Sequence, residues 1–252
     1  MQSPRFDSVD ALRGFAMVWM TAFHFCFDLN HFGYIHQNFF NDPFWTWQRT
    51  AILSLFLFTA GLGQAIAVHQ GQSWKRFWGR WARVAACALL VSAGSYLMFP
   101  QTWIYFGVLH GMAVMLILVR LTAGWGRWLW LVGGLCIAIG LIAQYSLYTG
   151  ANAEFLNSRA MNWLGLITHK PRTEDYVPLL PWLGVMWWGL AAGQWLLARR
   201  AVQLSAPWAF DHRLLGGPLR GLSLLGRWSL SYYMLHQPLL MGSLTAMAWA
   251  LR

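Results

Sequence analysis

Charged residues are scarce in this sequence of 252 residues: Asp, Glu, Lys and Arg together make up 10%, against 58% hydrophobic residues. Soluble domains carry roughly 25% charged residues, so the balance excludes an ordinary globular protein and predicts a chain whose main solvent is the lipid bilayer. Acidic residues are scarcest of all, 8 against 18 basic ones. In a soluble protein the net charge of +10 would suggest nucleic acid. In a membrane protein it follows from the retention of Lys and Arg on the cytoplasmic side, and no nucleic-acid partner is expected. Cysteine is nearly absent. Cys26, Cys87 and Cys136 lie in apolar runs without ligand-like spacing, which excludes a disulfide framework or a zinc motif and leaves packing roles. No Gly-rich phosphate loop, serine elbow, repeat or low-complexity linker is found, so residues 1–252 read as one integral-membrane domain. A cleavable signal peptide is not expected either, because the opening MQSPRFDSVDALRG is polar and acidic where a basic leader would stand.

What is abundant fits the same reading. Of the 18 Trp, many fall at the ends of apolar runs, among them Trp45, Trp47, Trp74, Trp78, Trp125 and Trp182, the level at which indoles meet lipid headgroups. Apolar runs of spanning length occur at about 10–30, 49–68, 82–99, 103–120, 128–147, 179–198 and 228–250, predicting an all-α bundle of about seven transmembrane helices. Asp7 and Asp10 are expected to open the first as a variant capping box. The 31–47 loop holds no Lys or Arg, and alternating the sides thereafter puts 13 basic residues inside and 5 outside. This assigns the N-terminus to the cytoplasm and the C-terminus to the far side of a cytoplasmic (inner) membrane. Arg159, Lys170 and Arg172 of the 148–178 loop run against that assignment. Gly107 and Gly111, at GxxxG spacing in the fourth run, predict close packing against a neighbouring helix.

The chemistry centres on Asp10–His31, an apolar run that nevertheless carries Arg13, His24 and Asp28. Eleven helical steps are three turns plus about 20°, so Arg13 and His24 leave one face, with Asp28 one turn further on. Ionisable groups at membrane depth are costly and mark functional positions. Asp28 is expected to accept one ring N–H of His24 and leave the other nitrogen as a base. His110 and His236 lie within later runs, and the three histidines could converge. Each is otherwise a hydrogen-bonded packing residue. Ser229, Tyr232, Tyr233 and His236 form a stripe at helical spacing, beside Gln237 and a helix opened by Pro238. Arg49 and Asp175 are expected at the outer vestibule or as surface ion pairs. No metal site is expected, since only His24 and Asp28 share a ligand-like spacing.

Five strings in order, DALRGFAMVWMTAFHFCFDL, LFLFTAGLG, WIYFGVLHGMA, TEDYVPLLPWLGVMWWGLAAG and SLSYYMLHQP, resemble the bacterial members of the heparan-α-glucosaminide N-acetyltransferase catalytic domain family. The Arg13 and His24 pair also resembles the signature of the wider integral-membrane acyltransferase superfamily. The resemblance covers about residues 5–245. It implies transfer of an acetyl group from cytoplasmic acetyl-coenzyme A to a hydroxyl or amine of a carbohydrate acceptor in the cell envelope. Arg13 would then dock the phosphate-bearing donor, with Lys75, Arg76 and Arg80 adding phosphate contacts or serving only as positive-inside charges. His24 would act as general base or transient acyl carrier. Long eukaryotic relatives carry Asn where His24 stands, and their catalytic histidine lies near the position of His36, so the base is His24 or His36. Arg49, His110, Asp175, Tyr232 and Gln237 are the expected acceptor contacts. The chain is shorter than those relatives, which implies an acceptor site that is either reduced or completed by a second protomer in a homodimer. Two rival readings use the same residues: a small proton-coupled transporter with the His and Asp stripe as relay, and a structural membrane subunit.

Overall fold

The computed structural model describes residues 6–145, 151–200 and 216–250. Arg5, Arg213 and Arg252 of the charge count lie outside the described residues. Within them the chain is all-α, with nine helices and no strand: α1 (Asp7–His31), α2 (Pro43–His69), α3 (Trp74–Met98), α4 (Val108–Leu121), α5 (Trp128–Tyr145), α6 (Ala151–Asn157), α7 (Trp182–Arg200), α8 (Gly216–Arg227) and α9 (Ser229–Ala250). Each of the seven apolar runs contains a helix. Two of these, α2 and α3, are long and apolar enough to cross a membrane. The apolar length of α3 is turned outward, with Leu89, Leu90 and Leu97 exposed by 69%, 63% and 83%. Water would penalise such a surface, whereas acyl chains do not.

Several boundaries differ from the sequence reading, each for a local reason. Asp7 is the first helical residue rather than a cap; Phe6 occupies the cap without a side-chain hydrogen bond, and both acids pair with arginine instead. The expected capping box does not form. The second helix begins six residues early, because Asp42 accepts the Phe44 N–H at 2.8 Å and Pro43 suits the first helical position. Arg49 therefore sits within α2. Lys75, Arg76, Arg80 and Arg83 belong to the first turns of α3, which Ser73 caps by accepting from the Arg76 N–H. The 148–178 and 199–227 stretches, expected as loops, contain α6 and α8.

The fourth run is shortened at its start. Residues 99–107 are non-helical because their backbone bonds to 173–177: Glu174 donates to the Thr102 carbonyl (2.9 Å) and Val177 to that of Phe106 (3.1 Å). Gly107 is the N-cap of α4, and its missing Cβ leaves room for the Asp175 carboxyl. A Cβ on Gly111 would stand 2.5 Å from the Val177 carbonyl oxygen. The two glycines thus admit an extended segment, not the helix that GxxxG spacing suggests.

The chain divides into two compact units, one formed by residues 1–59 with 200–252 and one by 60–199. The first contains α1, the opening half of α2, α8 and α9. Its apolar centre is Met17, Met20, Phe23, Phe39 and Ile52, with Phe27, Leu225 and Tyr233 packed around it. α8 crosses α1 at backbone contact. A Cβ on Gly14 would meet the Leu222 carbonyl oxygen at 1.9 Å, and one on Gly226 would meet that of Asp10 at 1.8 Å. Arg227 reaches Asp7 at 2.7 Å and Asp10 at 3.8 Å, closing the same crossing electrostatically. In the second unit the Trp163 and Leu164 carbonyls accept from Leu179 and Leu180, both at 2.9 Å. That ties 157–168 to the entrance of α7.

Candidate active site

The charged ridge of α1 is turned towards α9 inside the first unit. Nδ1 of His24 lies 2.9 Å from Nε2 of His236, and Nδ1 of His236 lies 2.7 Å from the Tyr233 carbonyl oxygen. The carbonyl can only accept, so Nδ1 of neutral His236 carries the proton and its Nε2 accepts. Nδ1 of His24 must then be the donor, which leaves its Nε2 unprotonated, and the Gln237 side chain also hydrogen-bonds the His24 ring. The two rings stack at 21° with centroids 5.0 Å apart. His236 is 6% exposed. Pro238, which cannot donate to the Met234 carbonyl, follows two residues later in the same helix.

This changes the expected role of Asp28. Its carboxyl is not the partner of His24; Oδ1 accepts from Nε2 of Gln237 at 2.8 Å. Asp28 is 1% exposed, and its Oδ2 and the Oε1 of Gln237 are both buried without a hydrogen-bond partner among the described residues. The reason is rotational. His24 and Asp28 are one turn apart on α1, and His236 and Gln237 are successive on α9, so His236 takes the Nδ1 proton of His24 in a hydrogen bond while Gln237 bonds Asp28 and also reaches the His24 ring. Tyr232 donates to Oγ1 of Thr21 at 2.7 Å, since that hydroxyl donates to the Met17 carbonyl at 2.8 Å. Its ring lies at 6° to that of His236.

Arg13, nearer the start of α1, donates to Asp10 (3.2 Å) and to the Thr59 carbonyl (3.5 Å). Asp10 also faces Arg227, so a chain of two acids and two arginines forms at this end. Thr21 and Arg227 are missed by sequence reasoning. Thr21 is three residues before His24 on the same helix, a detectable signal. Arg227 belongs to a basic stretch that charge counting reads only as topology. His36 stands exposed in the 32–42 loop, and Arg49 is exposed on α2.

The remaining expected residues belong to the second unit. Lys75, Arg76 and Arg80 are exposed on α3, which contains no acidic residue. Nδ1 of His110 accepts from the Gly107 N–H (3.3 Å), and Nε2 faces Oγ of Ser92 (3.0 Å), which donates to the Ile104 carbonyl (2.7 Å). Asp175 accepts from the Val108 N–H at 2.7 Å, a helix-capping bond. Tyr176 donates to the Asn162 carbonyl at 2.6 Å, while Nδ2 of Asn162 donates to the Tyr105 hydroxyl at 2.7 Å. Burial pushes the Tyr176 phenol above its ordinary range, with the Tyr105 phenol adding to it. All three cysteines are free, and no group of three His, Cys, Asp or Glu side chains arranged to hold a metal occurs among the described residues.

The site therefore has an oriented histidine with an unprotonated nitrogen, backed by a second histidine and flanked by a buried acid and by an amide that bonds both the acid and the ring. No curated protein and no solved structure matches the chain. The family described as heparan-alpha-glucosaminide N-acetyltransferase, catalytic, matches residues 5–238. That match spans nearly the whole sequence and includes the His24, Asp28 and His236 constellation, and the chain belongs to this acetyltransferase family.

Proposed function

We propose that the protein is an integral-membrane acetyltransferase that moves an acetyl group from cytoplasmic acetyl-coenzyme A to an amine or hydroxyl of a cell-envelope carbohydrate. The observation that carries this reading is the His24 to His236 hydrogen bond of 2.9 Å, with His236 anchored on the Tyr233 carbonyl. It leaves Nε2 of His24 as a base of fixed tautomer and orientation. In direct transfer, that nitrogen takes the proton of the acceptor N–H or O–H as the nucleophile bonds to the thioester carbonyl carbon. The C–S bond then breaks and coenzyme A leaves as the thiolate, which the imidazolium protonates. In the covalent variant His24 carries the acetyl group itself.

Arg13 is the donor-docking group of this scheme. A phosphate would replace Asp10 on its guanidinium, and the shift is supported by the position of Asp10 between Arg13 and Arg227. Asp28, Tyr232 and Gln237 border the base, and Arg49 and His36 are further acceptor-side groups of the same unit. His36 is the alternative base. It is exposed on a loop, whereas His24 is oriented by His236. In the second unit Lys75, Arg76 and Arg80 form a separate basic turn for anionic groups, while His110 and Asp175 are kept as acceptor contacts secondary to their structural bonds. The topology proposed is seven spans, α1 to α5 with α7 and α9, N-terminus inside the inner membrane and C-terminus outside. One domain, a lipid bilayer and a homodimer complete the proposal.

The experiment is purified full-length protein in lipid nanodiscs with radiolabelled acetyl-coenzyme A and a panel of amino sugars and sugar alcohols, with His24→Ala and His36→Ala alongside. Label on the acceptor in the wild type, lost in His24→Ala, supports the reading. Thioester consumption in neither protein contradicts it and leaves transport or a structural role.

A further inference from the structure

Asp28 and Gln237 present an unusual pair of orphans. One bond joins them, Nε2 of Gln237 to Oδ1 of Asp28 at 2.8 Å, and the two remaining oxygens, Oδ2 and Oε1, are buried without hydrogen-bond partners among the described residues. If Asp28 were ionised, two acceptors of one carboxyl–amide pair would be closed off from water with no donor between them, the costliest arrangement a buried polar pair can adopt. Exchanging the nitrogen and oxygen of the Gln237 amide does not relieve it, because two acceptors would then face each other at 2.8 Å. The Gln237 side chain also hydrogen-bonds the His24 ring, but a neutral His24 whose one N–H donates to His236 can only accept there, so the histidines add no donor for Oε1. The ring N–H groups of His24 and His236 are committed to one another and to the Tyr233 carbonyl, and His31 is exposed at the helix end.

We infer that Asp28 is a carboxylic acid, not a carboxylate, and forms a cyclic acid–amide pair with Gln237: Nε2–H donates to Oδ1, and a proton on Oδ2 is donated to Oε1. A single proton supplies the donor that both orphans lack. A ligand hydroxyl or ammonium would have to open a contact from which solvent is excluded. The pair is a positioning device. It joins α1 to α9 at Gln237, the residue after His236, and so fixes the rotation of α9 that puts His236 behind His24. It deepens the acetyltransferase reading, on which only this catalytic consequence rests, by removing Asp28 from the role of negative partner to the base.

Infrared spectroscopy of the full-length protein in nanodiscs at neutral pH, without acetyl-coenzyme A or acceptor, tests the protonation state independently of activity. The wild type should give a carboxylic-acid C=O band above the amide region. The band should be absent from Asp28→Asn, whose amide preserves both hydrogen bonds and should leave the thermal midpoint near that of the wild type. It should move to the frequency of a more weakly hydrogen-bonded acid in Gln237→Leu. Should Asp28→Asn fail to fold, carboxyl-labelled aspartate in the wild type reads the same band. A wild-type spectrum with no acid band, all label appearing as carboxylate, overturns the inference, as does an acid band unchanged in Asp28→Asn.

Discussion

His24 donates from Nδ1 to Nε2 of His236 across 2.9 Å. The bond joins residues 212 positions apart, so the base of the proposed reaction is oriented by the last helix described and not by the acid one turn along its own helix. The following expectations derive from that arrangement and from the packing that supports it.

Replacing His236 by Phe keeps a flat ring against Tyr232 but removes the acceptor of the His24 proton. Turnover should fall between about 10-fold and about 10⁴-fold, the upper figure being the cost of a wrong tautomer in a serine protease. The KM for acetyl-coenzyme A should change little. Steady-state kinetics of acetyl transfer separates the two, and an unchanged turnover would remove His236 from the mechanism.

Arg13 is held by Asp10 at 3.2 Å, so docking of a phosphate there competes with a carboxylate. Arg13→Ala should raise the KM for acetyl-coenzyme A by about tenfold, the equivalent of one charge-assisted hydrogen bond. Asp10→Asn, which removes the competing carboxylate, should lower it. Titration of acetyl-coenzyme A binding to both variants checks the signs, and a KM unmoved in both places the donor elsewhere.

At the α1–α8 crossing the Leu222 carbonyl leaves no room for a side chain on Gly14. Gly14→Leu should destabilise the first unit by about 1–3 kcal/mol through overpacking, read as a lowered thermal midpoint in detergent. Gly33→Ala provides a contrast of different origin: its φ of +78° strains any side chain, while nothing stands within contact of an added Cβ.

Tyr176 links stability to alkaline pH. Burial raises its folded ionisation above the ordinary phenol value of about 10, so above that pH the unfolded chain has lost a proton the folded one retains. Stability is therefore fully present below about pH 10 and declines as pH rises beyond it. Tyr176→Phe should remove this component. It should also cost about 1 kcal/mol at neutral pH, because the Asn162 carbonyl loses one of its two donors and keeps the Gly165 N–H. Alkaline unfolding curves of the two proteins give the comparison.

The helices and the functional ridge are legible in the sequence for different reasons. Long apolar runs announce helices, and Arg13, His24 and Asp28 are conspicuous because their neighbours are apolar. Their partners are not legible. Whether His24 meets Asp28 or His236 depends on how α9 is rotated against α1, and no local spacing encodes that. Gly107 and Gly111 illustrate the same limit, since their spacing suits a helix crossing but here admits the 175–177 backbone. Helix starts at Pro43 and Val108 are shifted by single caps, Asp42 within the local sequence and Asp175 from 67 residues away. Only the first of these could be read from the sequence.

The most direct test of the account is the kcat/KM of acetyl transfer by purified wild type and His24→Ala, with His36→Ala as the competing variant. The account predicts a loss of about 10²–10⁴-fold, the contribution of a general base, for His24→Ala in a folded protein, and a smaller loss for His36→Ala. A His24→Ala protein that transfers acetyl groups within a few-fold of the wild type would contradict it.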